Sequence, residues 1–148
     1  MKKLFLLFVL LNLFLYSQNN NIELPTQAKN FINKNFPAST VVSSSLYENG
    51  AGYDVEIDYG FNIIFYNTGL WKSVDLIDKD DTNKTIPRSV MHKSMINVID
   101  NQYTKSKLIF IERRNKNFFV VLNKDNNNIE IEISGYGIII SENIITNN

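Results

Sequence analysis

The chain has 148 residues, 44% hydrophobic, 12% aromatic and 20% charged. That apolar content excludes intrinsic disorder, and the equal counts of 15 basic and 15 acidic residues exclude a strongly basic nucleic-acid binder. With no cysteine and one histidine, the chain has no disulfide framework, thiol nucleophile or thiolate metal site, and cannot build a multi-histidine centre by itself.

Lys2 and Lys3 precede an apolar run, Leu4 to Leu15, interrupted by Asn12 and followed by Tyr16-Ser17-Gln18 and three asparagines. The run is too short to span a bilayer, and Ser17 supplies a small residue at its exit. Residues 1–18 therefore read as a secretory signal peptide, with cleavage expected after Ser17 or Gln18, rather than as a retained anchor. No later apolar stretch is long enough for a span, so the mature chain is expected in a periplasmic or extracellular space.

A first helix is predicted from Leu24-Pro25-Thr26, because proline is favoured at a first helical turn. Ala28, Phe31, Ile32 and Phe36 recur at three- and four-residue spacing, and Pro37 stops the helix. A Val- and Ser-rich segment from Thr40 to Tyr47 follows. In Tyr53-Asp54-Val55-Glu56-Ile57-Asp58 apolar and acidic residues alternate, so Tyr53, Val55 and Ile57 share one strand face and three carboxylates the other. Phe61 to Tyr66 and Leu70 to Ile77 are the next strands, joined by Asn67-Thr68-Gly69.

Asp78 to Lys84 reads as a polar linker, after which the pattern begins again. Ile86-Pro87-Arg88 echoes Leu24-Pro25-Thr26. Val90, Met91, Met95, Val98, Ile99 and Tyr103 predict a second helix one turn longer than the first. Strands are expected at Lys107 to Arg114, Phe118 to Leu122, Ile129 to Ile133 and Ile138 to Ile145, with a longer hairpin tip at Lys124 to Asn128. Gly135-Tyr136-Gly137 takes the place of Asn67-Thr68-Gly69. A half of about 60 residues has a marginal core by itself. The expected architecture is therefore α+β: two tandem repeats, 22–77 and 85–145, each a helix plus a four-stranded antiparallel meander, sharing one sheet with both helices on one face.

Leu24-Pro25, the Phe31/Ile32 stripe, Asn35-Phe36-Pro37, Gly52-Tyr53-Asp54-Val55-Glu56-Ile57 and Phe65-Tyr66-Asn67-Thr68-Gly69-Leu70-Trp71 resemble the PepSY-like family of secreted bacterial proteins. That family is similar in architecture to the β-lactamase inhibitor proteins, which are tandem helix-plus-four-strand repeats. The resemblance covers residues 22–77 well and 84–142 more loosely: Tyr103 replaces Phe36 with no proline after it, and Gly137-Ile138-Ile139 lacks the tryptophan. It implies a fold; inhibition is implied by architecture alone, and no inhibitor contact residue carries over.

No catalytic constellation emerges, and the chain is expected to be non-enzymatic and without a cofactor. His92 reads as an ordinary helix-face histidine, since a metal site needs spaced companions. Asp78, Asp80 and Asp81 suggest a calcium loop, but Asn83 stands where its glycine belongs and no glutamate follows at position twelve, so a solvated linker is expected. The candidate binding residues are Asp54, Glu56, Tyr66, Trp71, Glu130 and Glu132. If the two meanders point the same way, their carboxylates share the sheet face away from the helices. That face is either the ordinary wet side of a half-buried sheet or a docking surface for an envelope protein or peptide. Trp71 would add to it unless a bulge near Gly69 reverses the strand's parity. The alternative is a small-ligand binder or sensor, with a pocket between helix and sheet.

Overall fold

The structure, a computed structural model, describes residues 22–79, 81 and 83–146. The expected signal peptide and Asp80 lie outside the described residues. Helix α1 (Thr26–Asn35) leads into strands β1 (Val41–Tyr47), β2 (Gly52–Ile57), β3 (Phe61–Tyr66) and β4 (Trp71–Leu76). Helix α2 (Lys93–Gln102) leads into β5 (Lys107–Arg114), β6 (Asn117–Lys124), β7 (Asn127–Ser134) and β8 (Ile139–Thr146). The eight strands form one antiparallel sheet in chain order, so the fold is α+β as expected.

Helix α1 starts where its sequence says. Pro25 precedes it in an extended conformation, and the Phe36 N–H closes it on the Ile32 carbonyl at 2.7 Å. The second helix differs from expectation. Arg88–Val90 forms one 3-10 turn, Met91 is extended at φ −93° and ψ 160°, and α2 begins only at Lys93. The two α-helices are thus equal in length, at 10 residues each. Val90 and Met91 are both buried across this break. The second-half hairpin tip is also shorter than expected. Lys124 pairs with Asn127, and Asp125 and Asn126 both adopt positive φ, 51° and 63°, the signature of a two-residue type I′ turn.

One face of the sheet carries the core. Val55, Ile57, Ile63, Phe65, Val74 and Leu76 of the first four strands are buried with Ile111, Val120, Leu122, Ile131 and Ile133 of the last four, in one continuous cluster. Phe31 of α1 meets Phe65 edge-on at 5.7 Å, and Phe36 meets Phe61 at 5.1 Å. Met95 and Ile99 of α2 are fully buried in the same cluster. At its C-terminal end, Tyr103 donates a hydrogen bond to Glu142 of β8.

Two glycine turns seat the helices. Gly69 and Gly137 have φ of +83° and +84°, and each donates its N–H back across its turn, to the Tyr66 and Ser134 carbonyls at 2.8 and 2.9 Å. A side chain at 69 would press on Pro25 of the α1 entry, and one at 137 would lie 2.7 Å from the Ser94 carbonyl oxygen of α2. Positive φ and close approach together select glycine.

Gly137→Ala should therefore destabilise by about 1–3 kcal/mol, from left-handed strain and a backbone clash. Ile57→Ala, at a fully buried site, should cost about 2–5 kcal/mol, whereas Glu56→Ala on the opposite strand face should stay within about 0.5 kcal/mol. Urea unfolding of the three variants checks this, and equal losses at 56 and 57 would contradict the strand parity.

Burial, reinforced by the Glu142 carboxylate, pushes the Tyr103 phenol up to about 12. The unfolded chain therefore loses this proton near pH 10 while the folded chain keeps it. Its contribution to stability is present below pH 10 and falls between about pH 10 and 12. Alkaline unfolding curves should show this loss, and Tyr103→Phe should remove that part of it.

Candidate functional site

The sheet face away from the core is built from two rows of residues paired across the strands. One row runs Asp54, Ile64, Ser73, Glu112, Phe119, Glu132. The other runs Glu56, Asn62, Asp75, Phe110, Val121, Glu130. Residues directly opposite in antiparallel strands project to the same side. Asp54, Glu56, Glu130 and Glu132 thus share one face. They do not form a cluster: β2 and β7 are separated by five strand spacings, about 24 Å.

Each half holds its acids with asparagine amides. Asn62 Nδ2 donates to Asp54 Oδ1 at 2.7 Å, and Asn117 Nδ2 donates to Glu132 Oε1 at 2.8 Å. Asn143 Nδ2 reaches Glu130 Oε2 at 3.5 Å. Asp58, the third acid of the alternating strand, instead ties down the start of β1. Its carboxylate accepts from the Thr40 N–H and hydroxyl at 2.8 and 2.9 Å.

Tyr66 stands on this face, 37% exposed and opposite Gly52. A Cβ at 52 would lie 1.9 Å from the Phe65 carbonyl oxygen, so the position has room for no side chain. On the same rim, the Lys72 ammonium sits 4.7 Å from the centre of the Tyr47 ring and donates to its oxygen at 3.1 Å. That hydrogen bond raises the Lys72 pKa above its ordinary value.

Trp71 is the correction. It does not join this surface; it is 5% exposed and lies on the core face. Phe65 pairs with Trp71 and Ile64 with Ser73, so Lys72 is an extra residue in β4 and the strand bulges there. The bulge reverses the parity of residue 71 relative to 73 and 75. The indole is stacked by Phe31 at 5.7 Å and 29° and flanked by Phe118 at 6.1 Å. The Arg113 guanidinium lies 4.4 Å from its centre.

The sequence reading also missed the middle of the outer face. Phe110 and Phe119 meet edge to face at 6.1 Å, and the Arg114 guanidinium lies 4.0 Å over Phe119 while Nε contacts Glu112 at 2.8 Å. A hollow of about 300 Å³ opens beside them between Asp75, Phe110, Val121 and Glu130. The alternation Phe110, Glu112, Arg114 was the available signal. It is obscured by the bulge at Ile109, which places Leu108, Ile109 and Ile111 all in the buried set.

His92 precedes α2, exposed, with its ring 5.5 Å from Phe118. In the linker, Asp81 is engaged locally: it accepts from the Asn83 N–H at 2.9 Å and pairs with Lys84 at 3.3 Å, and these contacts lower its pKa. Among the described residues no group of three or more metal-ligating side chains gathers, and no helix is long and apolar enough to cross a membrane.

No protein-family model and no curated protein matches the sequence. Solved structures do. A DUF2874-family protein from Bacteroides vulgatus ATCC 8482, provisionally described as periplasmic, is similar in fold, with a TM-score of 0.68 and 23% identity over 86% of this chain and 98% of that one. A Bacteroides thetaiotaomicron protein, provisionally described as calcium-regulated and periplasmic, aligns with a TM-score of 0.69 and 22% identity over 82% of this chain and 91% of that one. At these identities the likeness is one of fold.

Trp71 is the chain's one tryptophan, so its fluorescence tests the correction directly. Emission should be shifted to the blue of free tryptophan and acrylamide should quench it weakly. Quenching as strong as that of free tryptophan would put the indole back on the surface.

Proposed function

We propose that the chain is a non-enzymatic periplasmic module that docks an envelope protein or peptide through the outer face of its sheet. It works after signal-peptide removal, as a PepSY-like tandem repeat of residues 22–77 and 85–145 around the 78–84 linker, with both helices on the core side. The contacts of Phe31, and of Phe36 just after α1, with Phe61, Phe65 and Trp71, and the burial of Met95 and Ile99 of α2 in the shared core, support that arrangement. So do the glycine turns at 69 and 137 and the bulges at matching places in β3–β4 and β7–β8. The periplasmic descriptions of the similar folds agree with the location.

The observation that carries the reading is the composition of the two paired rows. They hold Asp54, Glu56, Asp75, Glu112, Glu130 and Glu132 around the Phe110–Phe119 pair, with Tyr66 at the rim. Such a surface suits a partner with a basic contact region. Aromatic side chains supply the desolvated contact area, and the acids guide encounter.

Photo-crosslinkers placed at Glu56 and at Glu132 should capture the same envelope partner, and one placed at Asn97 on α2 should not. With that partner in hand, Tyr66→Ala should weaken binding by more than about 1 kcal/mol with an unchanged melt. Glu56→Lys and Glu132→Lys should mainly slow association, more at low salt than at high. Capture only from Asn97, or binding indifferent to all three changes, would refute the reading.

A further inference from the structure

On the opposite side of the sheet, the floor between α1 and the turn that precedes α2 has a different chemistry. A cleft of about 370 Å³ opens there, with Phe31, Lys34, Trp71, Met91, His92 and Arg113 in its lining. A second hollow of about 440 Å³ shares His92 and Arg113 with it and adds Lys116 and Tyr136. Neither is lined by any aspartate or glutamate. In a chain with as many acids as bases, two adjoining clefts lined by three permanent cations and no carboxylate form a local field of one sign.

Arg113 is the centre of that field. Its guanidinium is held 4.4 Å from the Trp71 ring and 5.5 Å from Phe118, and its Nε is buried without a hydrogen-bond partner. Burial lowers the Arg113 pKa from its usual value, and the group acting against that effect is the Tyr66 phenol rather than a carboxylate. A partly buried cation is ordinarily paired, because desolvation without a counter-charge costs stability. The ring contacts offset part of this cost and fix the plane of the guanidinium. They leave its N–H fork without an acceptor.

We propose that this interhelix cleft binds a small organic carboxylate with an apolar body, its carboxylate on Arg113. A carboxylate matches the guanidinium fork with two parallel hydrogen bonds. Lys34 and Lys116 stand on either side as secondary charges. Phe31, Leu70, Val90 and Met91 give the body an apolar wall, which an inorganic anion would leave unused. The volume lies in the range of small-molecule sites. This site opens on the other side of the sheet from the paired acidic rows and does not rest on the docking reading; Tyr66, at the rim, is the group that lies within electrostatic reach of Arg113.

Titration of 15N-labelled mature protein with benzoate, octanoate, benzamide and inorganic phosphate tests it. Both carboxylates should give saturable shifts at the Trp71 indole N–H and at the backbone amides of Met91 and Arg113, with the outer sheet face unmoved. Benzamide, which has the ring without the charge, and phosphate, which has the charge without the ring, should not. Arg113→Gln should weaken carboxylate binding by about tenfold or more. If that variant does not fold, Arg113→Lys, which keeps the charge and loses the fork, should still weaken both carboxylates several-fold. No saturable shift with either carboxylate at millimolar concentration would overturn the proposal. So would an equal response to benzamide or to phosphate, or affinity unchanged in the Arg113 variant that folds.

Discussion

Three residue pairs between β4 and β5 join the first four strands to the last four: Ser73 with Glu112, Val74 with Ile111 and Asp75 with Phe110. This is a short seam for an eight-stranded sheet, and both faces depend on it. On the core side it brings Val74 beside Ile111, making one hydrophobic cluster of what would otherwise be two marginal ones. On the outer side it sets Asp75 against Phe110 and Ser73 against Glu112, so the two acidic rows continue from one half into the other. Just past the seam, Trp71 of the first half meets Arg113 and Phe118 of the second. A shift of one residue in this pairing would move every side chain of one half to the wrong face.

Bulges decide which side chains appear where. Were β4 regular through Lys72, Trp71 would stand on the outer face beside Ser73 and Asp75. With the bulge, the indole becomes the floor beneath α1 and the platform on which the Arg113 guanidinium lies. Lys72 itself is released toward Tyr47. The bulge thus turns an aromatic away from the outer surface and into the cation–aromatic floor of the cleft.

The outer face and the cleft consequently differ in electrostatic character within a chain of zero formal net charge. The outer face holds six carboxylates in its paired rows, largely engaged by asparagine amides, lysine or arginine. The cleft side presents Lys34, Arg113 and Lys116 without a lining acid. Separation of charge by sheet face follows from strand alternation, since period two assigns each acid to a side as soon as its register is fixed. The same alternation explains why many of these acids tolerate their positions: they remain partly in water and need no buried partner.

The sequence by itself determined the α+β class, most strand positions and the start of the first helix. Those depend on local signals: proline at a first turn, glycine and asparagine at tight turns, and strict apolar–acidic alternation in 53–58. It also placed Asp54 with Glu56, and Glu130 with Glu132, on one face of their own strands, because an unbroken period of two is legible without coordinates; the pairing through β4 and β5 put both pairs on the same side of the sheet. Parity past a bulge is not legible in this way. The extra residue at Lys72 costs nothing visible in composition, and whether a strand bulges is settled by how its neighbours pack. The break at Met91, which the sequence reads as continuous helix, is likewise not signalled locally: neither proline nor glycine stands at positions 90–92. Only the tertiary structure could bring Phe110 against Phe119, and Trp71, Arg113 and Phe118 to the floor between the helices. Those contacts join segments far apart in the chain, and no local preference of either segment encodes them.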